Sequence, residues 1–162
     1  VVCEGQDYDA ADESFDVVIS CEVMEHNPRW VDTVRNMIRL CKPDGMVLFT
    51  CATLGRGEHG TVRSDPNKSP FTVEKGWNYY RNLTHRDFER SRAVALLPFR
   101  IFAYQWYHND LYFLGFKSKV VEGLEARLYQ IRAYYRQRTL SKWSFFRRFM
   151  KAQITRQRDG GY

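Results

Sequence analysis

Short apolar runs alternate with a helical pattern in the first third of the chain. Phe15 to Ser20 is an apolar, β-branched run, typical of a strand buried on both faces of a parallel sheet. Apolar positions from Trp30 to Cys41 recur at helical spacing, and Met46 to Thr50 predicts a second buried strand. Strand, helix and strand with short connections form a right-handed parallel crossover unit. The pattern therefore predicts an α/β fold.

The following segment adds an antiparallel hairpin. Ala52 to Leu83 is rich in Gly, Pro, Ser and Asn, which predicts a long functional or irregular loop. Thr84 begins a capping-box sequence, with Asp in place of the usual Glu, so a short helix should follow it. Phe99 to Trp106 and Leu111 to Lys117 then predict the two strands of a hairpin. The sheet should be mixed, parallel at one side and antiparallel at its end.

The C-terminal part differs from the rest in period and in charge. Apolar residues return to helical spacing from Val121, so we divide the chain into a body, residues 1–119, and a helical tail, residues 120–162. The chain has a net charge of +6, and the tail alone holds ten Lys or Arg against three acids. The body holds the remaining 15 basic and 16 acidic groups, so its charge does not indicate a nucleic-acid-binding domain.

Three interpretations of the basic tail stay open. Its helices could pack their apolar stripes on the body or on a second subunit, with a solvated basic face. Residues 121–158 could instead lie on an anionic membrane surface as an amphipathic segment. A basic face for nucleic acid is the third alternative. We rank packing first, peripheral membrane contact second and nucleic acid last.

The cysteines and the first residues of the chain indicate its cellular location and whether it is a fragment. The four cysteines form no C-x-x-C pair and lie beside apolar runs, so we expect buried thiols, no metal site and a reducing, cytoplasmic location. No apolar run approaches the length of a membrane span. The chain opens at Val1 without an initiator Met or a signal peptide, so we expect it to be a fragment entered partway through a strand.

Gly55 to Gly60 matches the G-x-G-x-x-G pattern of dinucleotide sites. That fingerprint requires its last glycine to lead into a helix whose amides face a pyrophosphate. Here the continuation, Thr61 to Pro66, has no apolar period and meets a proline early. We therefore predict a flexible loop here, without a dinucleotide.

The order of motifs from Phe15 to Thr50 resembles class I S-adenosylmethionine (SAM)-dependent methyltransferases. The resemblance lies in FDVV at Phe15, a Glu-His pair ending at His26, a helix, LCKPDG ending at Gly45, and an apolar strand. It implies a partial Rossmann-like class I methyltransferase sheet, mixed and ending in an antiparallel hairpin, with basic helices after it. The family's glycine-rich loop and its ribose-binding acid should lie upstream of Val1. We accordingly expect the fragment to be inactive alone.

The resemblance also implies cofactor-binding positions for SAM. Glu4 and Gly5 correspond to the family's acidic residue after its third strand, which accepts a hydrogen bond from the adenine amino group. Asp7 is the alternative acid. Ser20, Cys21 and Glu22 correspond to the segment that lines the methionine part of the cofactor.

His26 corresponds to the family's histidine at the start of the next helix. An imidazole can act as a general base near neutral pH, and it can equally hold a loop in place by hydrogen bonds, which is the role we favour. His59 and His85 are expected to be surface residues. The predicted function is methyl transfer from SAM to a small-molecule or glycan-type acceptor. The alternative is a non-catalytic, methyltransferase-like scaffold that binds partners or membranes through the basic tail.

The acceptor site is predicted under the long loop. Three aromatic residues near the end of that loop are candidate wall residues for a bound acceptor. These residues are Trp77, Tyr79 and Tyr80.

Overall fold

The computed structural model describes residues 3–105, 107–118 and 124–138. These residues form four strands, four α-helices and two short 3₁₀ turns, at Gly5–Asp7 and Pro66–Lys68. The larger elements, in chain order, are β1 (Phe15–Cys21), α1 (Trp30–Leu40), β2 (Cys41–Ala52), α2 (Pro70–Glu74), α3 (His85–Arg90), β3 (Phe99–Gln105), β4 (Asp110–Phe116) and α4 (Leu124–Arg138).

The β1–α1–β2 segment forms the predicted parallel crossover unit. β1 pairs with β2 in parallel, with Val17 opposite Met46 and Cys21 opposite Thr50. β2 begins at Cys41, directly after the helix, so that residues 42–45 lie within the strand. Gly45 is needed within this strand, since a Cβ there would lie 2.7 Å from the Asp16 carbonyl oxygen.

The hairpin joins the sheet in antiparallel orientation, so that the strand order is β1-β2-β4-β3. β4 pairs with β2, placing Phe113 opposite Phe49, and β3 pairs with β4 at the edge. The sheet is therefore mixed, parallel at one side and antiparallel at the other. The predicted fold class is confirmed.

The core lies on one face of this sheet, between the strands and helices α1 and α3. Phe49 stacks on Phe113 with ring centroids 4.4 Å apart, and Phe88 packs against both Phe49 and Trp30. All four rings are almost completely buried. Such aromatic packing contributes about 0.5–1.5 kcal/mol per ring pair beyond the area it buries. This core fixes α1 against β2, and with it the segment between β1 and α1.

The prediction that β1 is buried on both faces is wrong for the described residues. Phe15, Val17 and Ile19 point away from the core and are 36%, 48% and 58% exposed. Val18, between them, packs on the core. β1 is the edge strand of the described sheet, and α1 covers only one of its faces. The sequence pattern reports the apolar character of both faces but not which elements cover them.

Two helices follow predictions made from the sequence. Thr84 caps α3 through a complete capping box, in which the Asp87 carboxylate accepts from the Thr84 backbone N–H at 2.8 Å. α4 contacts β3, with Leu128 buried and Ile131 42% exposed. The rest of the predicted helical tail, residues 139–162, lies outside the described residues. None of the described helices combines the length and hydropathy needed to cross a bilayer.

Candidate functional site

The carboxyl ends of β1 and β2 form the rim at which open α/β sheets bind ligands. Cys21 ends β1 opposite Thr50 of β2, and the Glu22 backbone N–H donates to the Thr50 carbonyl oxygen at 3.0 Å. Glu22 has a φ of +52°, in the left-handed region. That conformation costs a residue with a side chain about 1–2 kcal/mol.

Two carboxyl groups follow β1 at this rim: that of Glu22, which is half-buried, and that of Glu25. Glu25 is completely buried, and its Oε1 accepts from the Ala52 backbone N–H at 3.2 Å. One oxygen of each group, Oε2 of Glu22 and Oε2 of Glu25, is buried without a hydrogen-bond partner among the described residues. Burial, and then the neighbouring Glu22 carboxylate, raises the pKa of Glu25 to about 8. Burial therefore disfavours the charged form of the Glu25 carboxyl group.

His26 is also buried at the rim. Its Nδ1 has no hydrogen-bond partner in the described part of the chain, and the ring is 5% exposed. Gly60, with a φ of +66°, lets the long loop approach this ring, because a Cβ there would lie 2.7 Å from Cε1 of His26. Burial, and then the neighbouring His59, lowers the pKa of His26 to about 4. A neutral imidazole with this pKa is a weak general base at neutral pH.

His59 and Tyr80 complete the group, which we call the polar cluster: Glu25, His26, His59 and Tyr80. The His26 and His59 rings lie 4.9 Å apart edge to face, and Tyr80 lies 5.4 Å from His26 and 5.0 Å from His59. The Tyr80 hydroxyl donates to Asn82 Oδ1 at 3.0 Å, and burial raises the pKa of Tyr80. His59 is thus packed into the cluster, unlike the surface residue expected from the sequence.

The predicted adenine-binding residues lie on a separate loop fastened to α1. The Glu4 carboxylate pairs with Lys75 Nζ at 2.6 Å, and its side chain is 14% exposed. Gly5 packs on α1, where a Cβ would lie 2.7 Å from Thr33 Cγ2. Asp7, the alternative acid, is half-exposed and lies 3.3 Å from the Arg29 guanidinium. Of the two acids, Glu4 is the more buried, although Lys75 already neutralises it.

The three predicted wall residues separate into two places. Tyr80 belongs to the polar cluster. Trp77 is half-buried beside Lys75, whose Nζ lies 5.9 Å from the indole, and so lies on the side of Glu4. Tyr79 is half-buried, and burial raises its pKa. The segment therefore approaches both the polar cluster and the Glu4 loop.

His85 lies away from the rim. Its Nδ1 is 2.7 Å from the Tyr104 hydroxyl, and burial lowers the pKa of His85. It lines a concave pocket of about 520 Å³ with Glu89 and Arg100, which form an ion pair at 2.9 Å. The pocket lies between α3 and β3 and includes no rim residue. His85 is half-buried here, in place of the surface position expected from the sequence.

The Gly55–Gly60 segment forms no helix, as predicted. Gly55 and Gly60 have φ values of +91° and +66°. Arg56 donates to the Asp110 carboxylate at 2.9 Å, which fastens the segment to the start of β4. The segment positions His59 against the rim.

Sequence reasoning did not identify Glu25 and His59 as site residues. The available signal is the spacing Glu22-x-x-Glu25-His26 directly after one predicted strand, together with a histidine in the loop after the next. Residues that follow adjacent parallel strands meet at the same edge of a sheet. That rule brings His59 toward the Glu-His pair.

The site offers two kinds of binding group. At the rim, the side chains of Ser20 and Cys21 are small, and Glu22 adds a buried carboxylate oxygen. This combination suits a cationic cofactor such as SAM, which carries a sulfonium. Glu25, His26 and His59 each offer one ligand atom, and these three atoms lie within 4.8 Å of one another. One carboxylate and two imidazoles form a donor set that transition metals accept.

Residues 1–49 match the family model described as "Methyltransferase domain". No curated protein matches the chain. Among solved structures, the chain resembles the CMeT domain of the citrinin polyketide synthase at 12% identity and a TM-score of 0.52, covering 74% of this chain and 32% of that one.

Two further structures are similar. One is a SAM-dependent methyltransferase from Thermotoga maritima, with 9% identity, a TM-score of 0.46 and coverage of 70% of this chain and 61% of that one. The other is the 1,6-didemethyltoxoflavin-N1-methyltransferase of Burkholderia thailandensis, with 14% identity, a TM-score of 0.47 and coverage of 74% and 50%. The chain thus spans less than two thirds of each of these structures. The matched segment and the mixed sheet confirm the resemblance: the described residues are part of a class I SAM-dependent methyltransferase fold.

Proposed function

We propose that the protein transfers the methyl group of SAM to a small-molecule or glycan-type acceptor. The observation that carries this proposal is the strained Glu22 at the carboxyl end of β1, with a buried oxygen that has no partner among the described residues. A sulfonium cofactor carries a positive charge, and a half-buried carboxylate beside it favours that charge. The match of residues 1–49 to the methyltransferase domain supports the same interpretation.

Each rim residue has a role in this proposal. Ser20 and Cys21 leave space at the end of β1 for the methionine part of the cofactor. Glu22 supplies negative potential, and Glu4 accepts from the adenine amino group once Lys75 moves aside. When bound, SAM supplies an electrophilic methyl carbon for in-line displacement, so positioning of the acceptor carries much of the rate.

The acceptor proposal depends on the aromatic segment. Tyr80 lies on the polar cluster and Trp77 on the side of Glu4, so this segment approaches the rim from two directions. Flat aromatic faces suit the apolar faces of sugars and other small rings. In a cell extract to which the protein and SAM radiolabelled in its methyl group are added, the label should therefore pass to the small-molecule or glycan fraction. Label confined to protein or nucleic acid would contradict this acceptor class.

The cofactor test is calorimetric titration of SAM into the full-length protein and its variants. Glu22→Gln keeps the shape of the side chain and removes its charge, so we expect affinity to fall by about 10- to 100-fold, a loss of about 1.4–2.8 kcal/mol of charge attraction to the sulfonium. Asp9→Asn, on an exposed loop position, is the matched control and should bind as the unmodified protein does. Equal affinity for the Glu22 variant and the control would refute the role of Glu22.

The adenine acid is tested separately. Glu4→Ala should weaken SAM binding if Glu4 accepts from adenine, whereas Asp7→Ala should not. The reverse result would assign the role to Asp7, and unchanged affinity for both variants would remove this loop from the cofactor site.

A further inference from the structure

The polar cluster contains three side chains whose chemistry suits a metal ion. Glu25 offers a carboxylate oxygen, and His26 and His59 each offer an imidazole nitrogen, all three within 4.8 Å of one another. Two of the three side chains are buried, and His59 is half-buried. Exposed acidic groups often gather without binding a metal, but these ligands are neither all acidic nor exposed.

One buried oxygen and one buried nitrogen of this cluster lack hydrogen-bond partners in the described part of the chain. Glu25 is completely buried, yet its Oε2 has no hydrogen-bond partner, and neither has Nδ1 of the buried His26. Leaving a buried polar atom unpaired costs about 1–3 kcal/mol. Two such atoms in one cluster need an explanation, and a bound cation satisfies both because each atom can offer it a lone pair.

His59 is held in the tautomer that a metal ligand requires. Its Nδ1 lies 3.0 Å from the Gly57 carbonyl oxygen. A carbonyl oxygen only accepts, so Nδ1 carries the hydrogen of this bond, and in the neutral imidazole Nε2 then presents its lone pair. Histidines that bind metals usually donate their other N–H to a carbonyl or a carboxylate in this way. Glu25 is fixed similarly, because its Oε1 accepts from the Ala52 backbone N–H.

We propose that Glu25, His26 and His59 bind one divalent first-row transition-metal ion of the Zn²⁺ class. Two imidazoles and one carboxylate form a known three-ligand set for Zn²⁺, which leaves a fourth position open. Bonds of about 2.0–2.2 Å bring ligand atoms to roughly 3.5 Å of one another, so the side chains must close by about an ångström. Torsions of the half-buried His59 on its loop can provide this closure.

A shared proton is the competing explanation for the carboxyl groups. The Glu25 side chain lies within hydrogen-bonding reach of Glu22, so a protonated Glu25 would donate to the Glu22 carboxylate and satisfy both oxygens without a metal. It would leave Nδ1 of His26 unpaired and would give the His59 tautomer no role. The two explanations predict opposite results when a metal ion is added, so a metal titration separates them.

The test is titration of Zn²⁺ alone, without SAM, into the full chain after treatment with a chelator. We expect one equivalent to bind, followed by calorimetry, and Co²⁺ to give an absorption spectrum of nitrogen and oxygen ligands. His59→Ala should lower the affinity by more than about 100-fold, since loss of even an outer partner of a metal ligand costs 10–100-fold. Glu25→Gln, which keeps the acceptor for the Ala52 N–H, should do the same.

Two controls make the result specific. His108→Ala removes an exposed histidine from the β3–β4 turn and should leave Zn²⁺ affinity unchanged. Cys21→Ser removes an exposed thiol near the rim and should also leave it unchanged. Absence of binding by the unmodified chain would overturn the proposal. So would affinity that survives both His59→Ala and Glu25→Gln, or that disappears in Cys21→Ser. No SAM is involved, so this outcome is independent of the methyl-transfer proposal.

Discussion

The long loop contacts His26 at Gly60. Alanine substitutions at three glycines of the chain measure how much stability this close contact would cost a side chain. A Cβ at Gly60 would lie 2.6 Å from Ser69 Cβ and 2.7 Å from His26 Cε1, and the residue has a φ of +66°. Gly76 has a φ of +72° but nothing within 4 Å of its Cβ position, and Gly57 has neither a clash nor a left-handed backbone. A comparison of the alanine variants at these three glycines therefore separates the cost of a left-handed backbone from the cost of a steric clash.

The expected magnitudes differ by position. Gly57→Ala should stabilise by about 0.4–1 kcal/mol, because alanine restricts the unfolded chain. Gly76→Ala should destabilise by about 1–2 kcal/mol, the cost of a left-handed residue with a side chain. Gly60→Ala adds overpacking of about 1–3 kcal/mol, so its total should be about 2–5 kcal/mol. That is a large part of the stability of a typical small domain, about 5–15 kcal/mol.

Urea unfolding followed by far-UV circular dichroism gives these free energies directly. At a slope near 2 kcal/mol per molar, the Gly60→Ala midpoint should fall by about 1–2.5 M, against about 0.5–1 M for Gly76→Ala. Gly60→Ala should also weaken Zn²⁺ binding, because it displaces the loop that carries His59. A Gly60 variant no less stable than the Gly76 variant would refute the close contact with His26 on which the polar cluster depends.

Two further predictions concern the core and the thiols. Phe49→Ala removes a fully buried ring stacked on Phe113 and should destabilise by about 3–5 kcal/mol in the same urea assay. Tyr107→Ala, at an 85% exposed position, should change stability by less than about 0.5 kcal/mol, and equal losses would refute the core assignment. Burial raises the pKa of Cys41 and raises that of Cys51 well above its ordinary value. A thiol reagent at pH 8 should therefore label only the two exposed cysteines until the chain is unfolded, and rapid labelling of all four would contradict this burial.

The fold was predictable where the signal is local. The β1–α1–β2 unit follows from two apolar runs and one helical period, each contained in a short segment of the chain. The Thr84 capping box follows from a pattern of four consecutive residues. The exposure of Val17 and Ile19 was not predictable, because burial depends on which elements cover each face of β1. An apolar run is compatible with burial on one side or on both.

The site was predictable only along the segment that the resemblance covers. Ser20 and Cys21 end β1 and residues 22–26 follow it directly, so the rim could be assigned from the order of strand and helix. His59 could not, because its place depends on the left-handed Gly60 and on the Arg56–Asp110 pair, which bend the loop back to the rim. Interactions between residues 25 to 60 positions apart have no periodic signature in a sequence.

The two proposals together account for the proton that methyl transfer to an alcohol must release. When an acceptor oxygen displaces SAM's sulfur and forms its bond to the methyl carbon, the hydroxyl proton must leave, and His26 has a pKa of about 4 and is a poor base for it. A metal ion on Glu25, His26 and His59 would use the neutral imidazoles as ligands and lower the pKa of a bound hydroxyl, so the proton could pass to water. Burial keeps the His26 imidazole uncharged. The same burial therefore makes His26 a weak base and a suitable metal ligand. Methyl transfer that persists after a chelator has removed all metal would separate the two proposals, leaving the cofactor rim in place and the metal without a role in the reaction.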